Sequence, residues 1–159
     1  MATISAPPAL NFETQLFIDG KFTAAVKGGT IPVLNPHDNS LITEIAEATA
    51  EDVDVAVAAA RRAFPAWKRM SAADRGRLIA RLADAIENDF ENLTRLEAMD
   101  TGHPLKDTRI LDVPRTVGVF RYYAGLADKI DGRVVQGEPG FHNYVTREPV
   151  GVVGQIVPW

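Results

Sequence analysis

The side chains that most often carry chemistry are few in this sequence, and they are scattered. Cysteine is absent, which removes a thiolate nucleophile, a thiolate metal site and any disulfide from the chain. The three histidines, His37, His103 and His142, stand far apart and share no close spacing with carboxylates of the kind a zinc site needs. His37 falls in a turn and His103 between a helix stop and Pro104, so both read as solvated. Residues 61–81 hold Arg61, Arg62, Lys68, Arg69, Arg75, Arg77 and Arg81 against Asp74 alone, a basic stretch in a chain of net charge −4. A polyanion-binding face has this look. Here, however, the arginines alternate with an apolar stripe and no aromatic stacking set accompanies them, so they read as solvated helix faces with no nucleic-acid partner.

The other chemical candidate lies at the carboxyl end. Pro149-Val150-Gly151-Val152-Val153-Gly154-Gln155-Ile156-Val157 is a nearly uncharged apolar run, as expected of a strand buried on both faces of a parallel sheet. Gly151 and Gly154 lack the third glycine and the strand-to-helix setting of a dinucleotide fingerprint, and read instead as positions that permit close packing. In open α/β sheets ligands bind beyond the carboxyl ends of the strands. Ile156, Val157, Pro158 and Trp159 occupy that place, where main-chain groups and an indole suit a flat cofactor, although a core tryptophan at a strand end would look the same.

The elements that must position these residues follow from local patterning. Leu16-Phe17-Ile18 and Lys21-Phe22-Thr23 flank Asp19-Gly20, a hairpin with a type I′ turn. Thr30 to Leu34 and Leu41 to Ala46 form a second strand pair around the turn Asn35-Pro36-His37-Asp38-Asn39. A helix opens at Thr49, with Glu51 and Asp52 in its first turn, and Pro65 is expected to end it. A second opens at Ser71 and carries Leu78, Leu82, Ile86, Phe90, Leu93 and Leu96 at four- and three-residue steps until Gly102 and Pro104. Glu91 and Arg95 are placed as an i,i+4 pair on it. A third helix runs from Pro114 to about Ile130. Arg133 to Gln136 and Phe141 to Arg147 then read as an extended hairpin.

Composition is that of an ordinary globular chain, 46% hydrophobic and 24% charged. No stretch is long and apolar enough for a membrane span. The opening residues lack a basic region and an apolar core, so residues 1–15 read as a flexible leader on a cytoplasmic protein. One oddity concerns order: a doubly covered parallel strand needs neighbours and crossover helices after it. The expected fold is therefore α/β and incomplete: antiparallel hairpins, three helices, then the first strand of a Rossmann-like parallel sheet.

These residues carry a family likeness. Glu148-Pro149-Val150-Gly151-Val152-Val153-Gly154-Gln155-Ile156-Val157-Pro158-Trp159 resembles the EPxGVxGxIxPWN segment of the aldehyde dehydrogenase superfamily. Phe17-Ile18-Asp19-Gly20-Lys21, Asn35-Pro36, the helix end from Ala59 to Trp67, Asp100-Thr101-Gly102-His103-Pro104 (where the family often has Lys at His103) and Arg121-Tyr122-Tyr123-Ala124-Gly125 follow in family order. The resemblance implies an NAD- or NADP-dependent enzyme oxidising an aldehyde to a carboxylic acid. It implies that residues 16–132 and 148–159 are the N-terminal part of the cofactor-binding domain, with Ile156 to Trp159 touching the nucleotide. It implies a monovalent cation at Asp100 and the carbonyls of Val33 and Leu34, and homo-oligomer formation through a hairpin at residues 133–147. The helix with Arg115, Val119 and Tyr122 resembles one bordering the family's substrate tunnel; Arg115 there would suit an anionic substrate, or stand solvated or salt-bridged.

The family's catalytic cysteine thiolate, its water-activating glutamate and its oxyanion-binding asparagine have no counterpart among these residues. The expectation is an N-terminal portion with no catalytic domain and no turnover of its own. The alternative is a non-catalytic fragment that co-assembles with full-length subunits through its hairpin arm.

Overall fold

Asp19 and Gly20 both take positive φ, 55° and 75°, the pair of left-handed residues that a two-residue hairpin demands. They join β1 (Leu16–Ile18) to β2 (Lys21–Thr23), with Phe17 opposite Phe22 and their ring centroids 5.1 Å apart. The structure, a computed structural model, describes residue 10 and residues 13–157. Most of the expected leader, and Pro158 and Trp159 of the expected cofactor segment, lie outside the described residues. The chain is held earlier than Leu16, because the Thr14 carbonyl accepts from the Ala46 amide at 2.8 Å.

The second ribbon pairs β3 (Thr30–Leu34) with β4 (Leu41–Ala46), as the alternating pattern predicts. Val33 faces Thr43 and Leu34 faces Leu41, so Ile42 is an extra residue that bulges the ladder. The connecting turn is closed by its own side chains: Asn35 Oδ1 accepts from the His37 amide at 3.0 Å and Asp38 Oδ1 from the Ser40 amide at 2.9 Å. The Ser40 hydroxyl and amide hold the Asp38 carboxyl below its ordinary value.

Helix α1 (Ala50–Arg69) runs through Pro65 rather than stopping there. Proline costs a helix its i−4 bond, but only one further turn follows, and the Met70 amide closes that turn on the Ala66 and Trp67 carbonyls. Ser71 then caps α2 (Ala72–Asn88), its hydroxyl oxygen accepting from the Asp74 amide at 3.1 Å. The expected single long helix is divided in two. Asp89, at φ −98° and ψ 20°, ends α2 and starts α3 (Phe90–Thr101). Asn and Asp compete with the backbone for hydrogen bonds, and a one-residue break leaves the apolar register of Ile86, Phe90 and Leu93 intact. Gly102, at φ 74°, stops α3 as expected.

A three-residue turn, α4 (Leu105–Asp107), and one π turn, Thr108–Asp112, lead into α5 (Val113–Leu126), which starts one residue before Pro114 and ends earlier than expected. α5 packs along α2. The core is made of small residues: Ala25, Ala59, Ala83, Val113 and Val117 are its buried apolar members. Last come β5 (Arg133–Val135) and β6 (Asn143–Val145), paired antiparallel and exposed along their whole length.

The one element that does not form is the buried parallel strand. Residues 149–157 pair with no strand among the described residues, Val150 is 95% exposed and Ile156 99%. Gly151 sits at φ 125°, outside strand geometry. The physical reason is that a parallel strand is held by neighbours on both edges, and the described residues supply neither. The accessible surface, 12,696 Å², far exceeds the ~7,800 Å² of a compact chain of this size. The fold is thus mixed α/β with small antiparallel sheets, in keeping with part of a larger α/β domain.

Candidate functional site

A hollow of about 570 Å³ lies between the β3–β4 ribbon and helices α2, α3 and α5. Val33, Ile42 and Ile45 come from the ribbon, Ile86 from α2, Leu93, Leu96 and Met99 from α3, and Val113 from α5. Four carboxylates stand around this apolar floor: Glu13, Glu97, Asp100 and Asp112. Asp100 is in the last turn of α3 and Val33 at the ribbon bulge, so the fold brings these two sequence-predicted residues to one cleft. Leu34 is the next residue of β3 and is exposed.

Asp112 ends the π turn, and its Oδ2 is 3.0 Å from Nδ1 of His103. That hydrogen bond, together with the negative charge of Asp112, raises the His103 pKa above its ordinary value of 6.5. His103 is therefore paired, not merely solvated as expected. The spacing of nine residues hid the pair, because only the turn at Gly102 and the π turn fold it back. Among the described residues no group of three or more His, Cys, Asp or Glu is arranged to hold a metal ion.

A second hollow of about 420 Å³ lies where Val57, Arg61 and Phe64 of α1 meet Gly151, Val152 and Gly154. A β-carbon at either glycine would touch nothing within 4 Å, so the expected close packing at these two positions is not formed; Gly151 is required by its positive φ instead. Ile156 and Val157 line neither hollow and are exposed.

The outward face of α5 carries Arg115, Gly118, Val119 and Tyr122, at the i, i+3, i+4, i+7 spacing of one helix side. All four are exposed, and the Tyr122 ring meets that of Tyr123 edge-on at 5.4 Å. The two arginines of α5 differ. Arg121 spans to α2, bonding Glu87 at 2.5 Å and Asp84 at 3.2 Å. Arg115 makes no ion pair among the described residues, so the salt-bridged alternative is not realised.

Several other pairings escape sequence patterning. Glu91 takes Arg109 of the π turn as a two-pronged partner, at 2.8 and 2.6 Å. Asp52, buried, accepts from the Val26 amide at 2.9 Å and from the Thr49 amide and hydroxyl at 2.8 and 2.9 Å. The Thr49 amide first, then that of Val26, hold its carboxyl below the ordinary 3.8. Of the basic stretch, Arg62 pairs with Asp19, Arg77 with Asp74, and Arg75 donates to the Met70 carbonyl.

Comparison with known proteins agrees with this architecture. The model of the aldehyde dehydrogenase family matches residues 22–159. The mitochondrial aldehyde dehydrogenase of Mesocricetus auratus is 45% identical over 166 aligned positions, covering 99% of this chain and 33% of that protein. The crystal structure of PnpE from Pseudomonas sp. WBC-3 superposes with a TM-score of 0.88 at 61% identity, over 93% of this chain and 30% of that one. PnpE in complex with nicotinamide adenine dinucleotide gives 0.83 at 59%, over 87% and 28%. The chain thus spans about a third of the length of the relatives it matches.

Proposed function

The chain belongs to the aldehyde dehydrogenase family, and from that premise we propose that it is the N-terminal portion of an enzyme that oxidises an aldehyde to a carboxylic acid with NAD or NADP. The observation that carries this reading is the agreement of fold and sequence with a solved NAD complex. Bound nicotinamide supplies a hydride acceptor. The groups this chain offers it are main-chain and apolar: Ile156 and Val157, exposed at the end of the glycine-containing run, and with them Pro158 and Trp159. Such a set suits the flat faces of a nucleotide and not its phosphates.

Residues 16–132 and 148–159 belong to the cofactor-binding domain in this reading, and residues 133–147 to an oligomerisation arm. The exposed β5–β6 hairpin supports the arm, since its unpaired edges are a template for another strand. A monovalent cation is held by Asp100 and the carbonyls of Val33 and Leu34. One carboxylate and main-chain oxygens are the donor set of a hard cation, and the ladder shifts register between Val33 and Leu34. In this reading the enzyme works as a homo-oligomer in the cytoplasm. Separately, no helix of the described residues is long and apolar enough to cross a membrane.

With no cysteine, these 159 residues alone give no turnover. The experiment is aldehyde-dependent NADH formation, measured for the 159-residue chain and for the product of the reading frame continued past Trp159. Turnover by the continued product only is expected. Turnover by the short chain, or by neither, overturns the reading.

A further inference from the structure

The hollow of about 570 Å³ has a rim as well as an apolar floor. Asp112 lines it where the π turn meets α5, and its Oδ2 reaches back 3.0 Å to Nδ1 of His103 in the link between α3 and α4. That contact closes residues 103–112 into a loop on the wall of the hollow. Two other holds act on the same loop. Arg109 takes Glu91 with two prongs, and the buried Thr108 hydroxyl lies against the Thr94 and Leu105 carbonyls. Neither changes its charge between about pH 5.5 and about pH 9. Of the three holds, the histidine contact is the one that does.

Three carboxylates face the imidazole: Asp112 from the π turn, Glu97 from α3 and Asp107 from α4. With its proton, His103 makes an ion pair and offsets part of their charge. Without it, a single hydrogen bond to Asp112 is left and the three acids repel one another across the loop. The hollow feels the same change, because Glu13, Glu97 and Asp100 line it beside Asp112, and no lysine, arginine or histidine does among the described residues. The His103 side chain is 58% exposed, so protons reach it from solvent.

We propose that His103 is a proton-operated latch on the rim of this hollow: the imidazolium holds the α3–α4 link against Asp112, and loss of the proton lets that link open more often. The middle of the loop stays seated on Thr108, so the opening is confined to its two ends, residues 101–104 and Asp112. The latch is independent of the aldehyde-oxidising reading above.

The test is amide hydrogen exchange of the complete gene product, followed by mass spectrometry on peptides covering residues 100–113. It is run at about pH 5.5 and about pH 9, on either side of the histidine range, and corrected for the intrinsic pH dependence of exchange. Protection of these peptides is expected to fall about 2- to 5-fold at the higher pH, the size of a solvent-exposed pair. His103→Lys keeps its charge throughout and should be protected alike at both pH values. His103→Gln should show the weaker protection at both. A fall as large in His103→Lys as in the parent places the pH effect elsewhere and overturns the latch. So does a His103→Gln variant as well protected as the parent at the lower pH. Should the glutamine variant not fold, the comparison of the parent with His103→Lys decides alone.

Discussion

Gly76 of α2 faces the carbonyl of Ala124 on α5 so closely that a β-carbon added to it would lie 2.7 Å from that oxygen. The two helices approach there because one has no side chain, and Ala83, fully buried one turn pair further along, continues the same small-residue seam. Gly76→Ala must push the helices apart. Overpacking of this kind costs about 1–3 kcal/mol, outweighing the ~1 kcal/mol that alanine gains in helix propensity. Urea unfolding should show a lower midpoint. An unchanged or higher one would mean the helices separate without penalty.

Asp52 binds two loops at once, through Val26 and Thr49. Its native carboxyl titrates below the ordinary 3.8, so its contribution is present above that value and is lost as pH falls through the lowered native one. Asp52→Asn should destabilise the chain at pH 7, and the gap between variant and parent should close as pH falls through the lowered native value. A gap that stays constant with pH would place the effect elsewhere than in the carboxylate.

His103 and Asp112 give the opposite sign. The histidine pKa is raised above 6.5, so the pair stabilises fully below that value and fades as pH rises through the raised one. His103→Lys, the residue the family often has there, should keep the pair charged at pH 8. Histidine proton shifts followed by NMR should give a titration above 6.5; a midpoint at or below it would show that Asp112 does not hold the proton.

Thr94 and Thr108 are both fully buried, but only one is satisfied. The Thr108 hydroxyl lies 3.1 Å from the Thr94 carbonyl and 3.0 Å from that of Leu105, whereas the Thr94 hydroxyl has no partner. Thr94→Val removes an unmet polar group and should be neutral or stabilising by about 1 kcal/mol. Thr108→Val removes a made bond and should cost about 1–2 kcal/mol. Equal effects in thermal melts would contradict this.

The exposed run of Val150, Val153, Ile156 and Val157 should limit solubility of the 159-residue chain. Val153→Thr with Ile156→Lys is expected to raise its soluble yield several-fold over the parent. No change would show that other surfaces drive association.

What the sequence made legible is what short-range chemistry decides. Asp19-Gly20 specifies its turn through positive φ, Ser71 and Gly102 mark helix ends, and alternation marks the two ribbons. What stayed hidden depends on geometry at longer range. Pro65 reads as a stop, yet a helix tolerates it near its last turn. Asp89 breaks a helix without disturbing the apolar period. The π turn at Thr108–Asp112 has no residue signature, and with it the His103–Asp112 and Glu91–Arg109 pairs went unseen. Val33 and Asp100 do share a cleft, through the family resemblance rather than any spacing. The Val150–Val157 run has the composition of a buried strand and not the neighbours.

The Asp52 junction has a practical consequence. The loop it holds shut contains Lys27, an exposed residue beside Gly28 and Gly29, and cleavage there would detach the first hairpin from the chain that follows. Asp52 holds the Val26 amide and Glu51 pairs with Lys27, so a protease that cuts after lysine becomes a reporter of this junction: the rate of cleavage after Lys27 follows how often the loop comes away from the start of α1.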